Sequence, residues 1–108
     1  MKVVRIADVD LPSPERFGAR PILEGDQSNV RLIRIAPGNA LPPHRHGRSD
    51  LMLYAVEGAG ELETPTGTEP FSAGALAFYR GDEELRVSNL GTSELVLLAF
   101  LAPKFGAT

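Results

Sequence analysis

The chain has 108 residues, a formal net charge of −3, 43% hydrophobic and 23% charged residues, and no cysteine. This length suits one domain, and a chain of this size buries roughly 65% of the surface it exposes when unfolded, enough for one core. The missing cysteine excludes disulfides, thiolate metal sites and cysteine nucleophiles. The mild acidity, with arginines scattered singly from Arg5 to Arg86, argues against a nucleic-acid partner.

No apolar run approaches the ~18 residues of a membrane span, so no membrane partner is expected. The first ten residues carry an early acid, Asp8, and no long apolar run, unlike a signal peptide. Together with the lack of cysteine, this fits a cytoplasmic chain.

Glycine (11) and proline (9) are spread throughout and cut the chain into short segments, the punctuation of an all-β protein. No long helix is legible. Residues 3–7 read as a short edge strand or arm. Residues 8–20, with Pro12 and Pro14, read as an irregular crossing, and 21–24 as a brief strand. Residues 30–36 form a strand that ends at the turn pair Pro37-Gly38. Residues 41–46 follow, beginning on an edge because Pro42-Pro43 cannot donate to a ladder.

Residues 51–57 are a dense apolar strand, broken by Gly58-Ala59-Gly60. Residues 61–64 and 71–72 flank a hairpin loop at 65–68. Strands at 75–79 and 84–89 come next. Residues 94–102 are the longest apolar strand, buried on both faces or nearly so.

Eight to ten short strands in about 100 residues predict a sandwich or small barrel. The expected core draws on Val30, Leu32, Ile33, Ile35, Leu51, Leu53, Val56, Leu76, Phe78, Val87, Leu95, Leu97, Ala99 and Leu101. Some of these face outward, where a second subunit could cover them.

Both histidines of the chain, His44 and His46, lie two residues apart. On an extended strand, residues i and i+2 share a face, so two imidazoles stand side by side. Such a pair suits a divalent metal, with carboxylates or waters completing the site. Arg31 and Arg34 lie on opposite faces of one strand, so one of them points inward, where it would suit an anionic ligand.

Gly38, His44, His46, an acid, an apolar strand and Gly58 together resemble the first motif of the cupin superfamily, G-x5-H-x-H-x(3–4)-E-x6-G. The second cupin motif, G-x5-P-x-G-x2-H-x3-N, counted from Gly74, falls on Arg80, Asp82, Leu85 and Asn89. The resemblance spans about residues 30 to 102. It implies an all-β, cupin-like jelly-roll β-barrel in a single domain over 1–108, with an irregular N-terminal arm at about 1–20 and the barrel at about 21–102.

It also implies a homodimer, in which Val3, Val4 and Ile6 could pair with a partner's sheet edge. The implied metal ligands are His44, His46 and Asp50, for Fe, Mn, Zn or Ni. Leu85 stands where the family has its fourth ligand and cannot coordinate; Glu83 or Glu84 could substitute.

The third ligand depends on register. Counting from His46 gives Asp50, but counting back from Gly58 gives Leu51, and one residue flips a side chain to the other face. If Leu51, Leu53 and Ala55 face inward, a β-bulge near Ser49 is needed to turn Asp50 in. The functional expectation is a protein that binds a divalent metal, a small organic ligand, or both, in the barrel mouth. The alternative is a metal-free small-molecule-binding or structural cupin.

Overall fold

The computed structural model describes residues 1–105 of the chain. Among the described residues eight strands follow one another: β1 (Phe17–Glu24), β2 (Asn29–Ile35), β3 (Asp50–Glu57), β4 (Ala59–Thr64), β5 (Gly67–Ser72), β6 (Leu76–Tyr79), β7 (Val87–Ser88) and β8 (Leu95–Ala102). They form a five-stranded sheet in the order β1-β2-β8-β3-β6 and a three-stranded sheet in the order β5-β4-β7. Every pairing is antiparallel. The all-β jelly-roll expectation is met, although the ladders of the described residues do not close into one continuous barrel.

Period-two patterning decides which face of each strand is buried. On β3, Leu51, Leu53 and Ala55 are fully buried, whereas Met52 between them is half exposed. On β8, Leu95, Leu97, Ala99 and Leu101 point the same way and meet Ile33 and Ile35 of β2. Leu62, Phe71, Leu85 and Val87 complete the core from the other sheet and the segment beside it.

Leu53 is central to this layer, and Leu53→Ala is expected to cost about 2–5 kcal/mol, the usual penalty for opening a core cavity. Urea unfolding monitored by circular dichroism measures it.

Local chemistry sets the turns. The β4–β5 hairpin closes over Pro65-Thr66, with Thr64 paired to Gly67. Thr64 Oγ1 accepts from the Thr66 amide at 3.3 Å and donates to the Gly67 carbonyl at 2.8 Å. Between β3 and β4, Gly58 adopts φ 91°, and a side chain there would press on the Glu94 carbonyl.

Several sequence expectations are corrected. Residues 3–7 form no strand; a single 3-10 turn occupies Ile6–Asp8. Strand β1 begins at Phe17, inside the stretch read as irregular. Residues 41–46 make only one isolated bridge, His44 to Leu85, with a second, Ala40 to Ser88, just before them, because Pro42 and Pro43 have no N–H to offer a ladder. The strand expected at 84–89 shrinks to Val87–Ser88. Leu76 and Phe78, expected in the core, are 74% and 53% exposed, since they occupy the outer face of edge strand β6.

Candidate functional site

The histidine segment is tied down from two sides. The His44 amide donates to the Leu85 carbonyl at 3.4 Å and the Leu85 amide to the His44 carbonyl at 2.8 Å. The His46 amide donates to the Gly81 carbonyl at 2.9 Å. Gly81 is pressed so closely that a Cβ would overlap the Gly47 carbonyl and sit 2.8 Å from the Ser49 carbonyl. Gly81→Ala is therefore expected to cost about 1–3 kcal/mol, as overpacking does. It should also displace His46, seen as a shift of its ring resonances against an unchanged set from β2 and β8.

The two imidazoles meet as the i, i+2 spacing requires. Their ring centroids are 4.5 Å apart at an interplanar angle of 62°. His44 is exposed, and its Nδ1 lies 2.9 Å from the Pro42 carbonyl. A carbonyl only accepts, so in the neutral ring Nδ1 carries the proton and Nε2 is left as an open acceptor.

His46 is only 4% exposed. Its other neighbour is Phe105, at 5.1 Å and 64°. Burial first, then the charges of His44 and Arg31, push its pKa down to about 4, so the ring is neutral at pH 7. Its Nδ1 is buried and has no hydrogen-bond partner.

Phe105 is held by side chains that the local sequence pattern did not single out. Asn29, 4% exposed, donates from Nδ2 to the Phe105 carbonyl at 2.8 Å and accepts from the Phe105 amide at 3.2 Å. Ser49, 3% exposed, donates to the Pro103 carbonyl at 2.6 Å. Two buried polar residues thus fasten the tail against His46, satisfying the rule that such groups find partners.

A cavity of about 210 Å³ opens beside the pair. His44, His46 and Arg31 supply its polar groups, and Leu41, Leu85 and Phe17 stand among its apolar walls. Of the two arginines of β2, Arg31 is the one that faces in. Arg34 instead pairs with Glu94 at 2.8 Å. No acidic residue lines this cavity among the described residues.

Asp50 does not join the histidines. The β3–β8 ladder runs without interruption from Asp50 opposite Ala102 to Ala55 opposite Leu97, and its irregularity lies between Ala55 and Glu57. With no bulge near Ser49, Leu51 takes the inner face and Asp50 the outer, where it borders a separate groove with Met52 and Phe100.

Leu85 does sit beside His44 and lines the same cavity, where the motif count places it. Glu83 and Glu84 do not replace it. Glu83 accepts from the Arg80 amide at 2.9 Å, and Glu84 pairs with Arg86 at 2.7 Å. Both face a larger cavity of about 770 Å³ together with Arg45, which alternates away from its histidine neighbours. In that larger cavity, Glu84 also reaches Arg45 at 3.6 Å, so its charges are largely spent on one another.

Among the described residues, no group of three or more His, Cys, Asp or Glu side chains could hold a metal ion. Two imidazoles without a carboxylate do not make the three-donor set that catalytic sites use. The donor set here does not fit the metal the resemblance implies.

Comparison with known proteins agrees with the fold. A family profile described as "Cupin domain" matches residues 31–101. The beta-alanine degradation protein BauB of Pseudomonas aeruginosa is 32% identical over 84 residues, covering 74% of this chain and 88% of that protein. The crystal structure of TT1209 from Thermus thermophilus superposes with a TM-score of 0.84 at 25% identity, over 96% of this chain and 99% of that one. The polyketide cyclase RemF from Streptomyces resistomycificus superposes with a TM-score of 0.78 at 21% identity, over 97% and 81% of the two chains. The matched profile spans well over half of the sequence: the chain belongs to the cupin family.

Proposed function

We propose that the protein binds a small organic molecule in the cavity beside His44 and His46, without a metal. The observation that carries this reading is the cavity itself: about 210 Å³, walled by apolar side chains, with two imidazoles side by side and no acidic residue among its described lining. A few polar groups in an apolar recess fix the orientation of a small ligand. The ligand has an apolar body and a polar head that meets the open Nε2 of His44 and the neutral ring of His46. Arg31, on the same wall, favours a head carrying negative charge, such as a carboxylate. The likeness to a protein named for beta-alanine degradation supports a small carboxylate as the first class to test.

The metal reading has one observation in its favour. The contact of His44 Nδ1 with the Pro42 carbonyl orients the ring as the outer partners of metal-bound histidines do. The missing third donor outweighs it.

A fragment screen by thermal shift and histidine-selective NMR tests the proposal, using benzoate, benzamide and toluene as probes together with Zn²⁺, Ni²⁺ and Fe²⁺ alone. A ligand at 100 times its dissociation constant adds ~2.7 kcal/mol of stability. The expected result is stabilisation by benzoate over toluene, lost in His44→Ala/His46→Ala. One equivalent of metal per chain in the purified untagged protein, lost in the same double variant, would overturn the metal-free reading.

A further inference from the structure

We propose that the larger cleft, of about 770 Å³, is a second ligand site, for a small organic amine whose ammonium group is received by the Tyr79 hydroxyl and the Glu83 carboxylate. The cleft follows from the open seam of the fold. Strand β6 has a ladder partner on one side only, β3. Its residues Ala77, Phe78 and Tyr79 line the cleft together with Leu62, Glu63 and Thr64 of β4, and no ladder joins the two strands among the described residues. A volume of this size is in the range that holds small organic ligands.

Alternation supplies the charged side of the cleft. Leu85 turns toward the histidine cavity, so its neighbours Glu84 and Arg86 turn the other way. The bridge between His44 and Leu85 brings Arg45 alongside them. Glu84 lies between the two arginines, 2.7 Å from Arg86 and 3.6 Å from Arg45, so neither guanidinium is open to an anion.

The other carboxylates are held more loosely. Glu63 is 3.9 Å from Arg86, and Asp82 and Glu83 are 3.6 and 3.8 Å from Arg80 on the adjoining turn. Ion pairs this exposed contribute little. Four carboxylates (Glu63, Asp82, Glu83, Glu84) against three arginines (Arg45, Arg80, Arg86) leave one negative charge over, which suits a monovalent cation. Among the described residues no three acidic groups are placed to hold a metal ion, so the cation is organic.

Tyr79 is the residue that asks for a ligand. It is only 9% exposed and lines the cleft. Its hydroxyl bonds to no described residue, yet it is not sealed from solvent. A buried tyrosine hydroxyl usually finds a partner. Burial, and then the charge of Glu83, push its pKa up, so the hydroxyl keeps its proton in a negative field. Glu83 Oε1 accepts from the Arg80 amide at 2.9 Å, which leaves Oε2 for a ligand. An ammonium carries three N–H donors for these oxygens. Leu62, Pro65, Ala77 and the ring of Phe78 give the body of the amine an apolar wall.

Benzylamine tests the site, with benzyl alcohol as its neutral counterpart. The chain has two tyrosines, Tyr54 and Tyr79, so selective ring labelling gives two sets of NMR signals. Benzylamine should move the Tyr79 set and leave that of Tyr54, which is not part of the cleft. Isothermal titration should show benzyl alcohol binding at least tenfold more weakly. Glu83→Gln keeps an acceptor for the Arg80 amide but loses the charge, and should weaken benzylamine about tenfold. Glu83 is 45% exposed, so this variant keeps the fold. Tyr79→Phe should weaken it about fivefold.

His44→Ala/His46→Ala should bind benzylamine as the native chain does, which separates this site from the cavity proposed above. Unmoved Tyr79 signals, equal affinity for benzyl alcohol, or full affinity in Glu83→Gln or Tyr79→Phe overturns the proposal. Loss of benzylamine binding in the histidine double variant overturns it as well.

Discussion

Acidification from pH 7 to pH 4 is expected to remove about 3 kcal/mol of folding stability through His46 alone, and a His46→Gln variant should not lose that share. The ring titrates near 6.5 in the unfolded chain but near 4 in the fold, where burial and the neighbouring positive charges of His44 and Arg31 disfavour imidazolium. Below pH 6.5 the unfolded state therefore binds a proton that the folded state refuses. The contribution is fully present above pH 6.5, declines as the pH falls, and is gone below about 4.

Urea unfolding at pH 7, 6, 5 and 4 on both proteins gives the difference directly, because carboxylate effects are common to the two. A parallel pH dependence of the two proteins would show that His46 is not the buried neutral ring described here. Phe105→Ala should lie between them, since it strips one wall from the ring without changing its chemistry.

The second large effect is a gain. Leu85→His places a third imidazole next to His44, in the one cavity that already holds two. Affinity for Zn²⁺ or Ni²⁺ is expected to rise by at least about tenfold, equivalent to ~1.4 kcal/mol. Leu85 is 1% exposed, so the metal-free variant should melt below the wild type, and added metal should restore much of the loss by mass action. Isothermal titration and paired melting curves read both. A folded Leu85→His protein with unchanged metal affinity would show that position 85 does not share a coordination sphere with the histidines, whatever the motif spacing suggests.

How far the sequence was legible depended on whether a contact is local. The apposition of His44 and His46 followed from a spacing of two, even though Pro42-Pro43 keeps that segment out of any ladder. The inward set Leu51, Leu53 and Ala55 followed from strict alternation, and with it the outward turn of Asp50, once the ladder was seen to run unbroken from Asp50 to Ala55. Periodicity on β6 gave the alternation but not its sign: Leu76 and Phe78 are as apolar as any core pair, and only their pairing with Tyr54 and Met52, on the outer face of β3, sets them outward.

The pieces that complete the cavity were invisible for a different reason. Asn29 and Phe105 are 76 residues apart, and nothing near either one signals the other. Phe17 and Ala19 line the cavity from a stretch whose prolines hid a strand. The loss of the fourth cupin ligand at Leu85 needed only counting, and the geometry agrees with the count.

The fastened tail has a practical side. Phe105 lies against His46, so a polyhistidine sequence joined to the chain on that side adds metal-binding rings near a two-imidazole cavity. Metal uptake measured on such a fusion would report on the purification handle. Work on this protein should carry any handle at the other end, where Met1 is fully exposed, and remove it before a metal is counted.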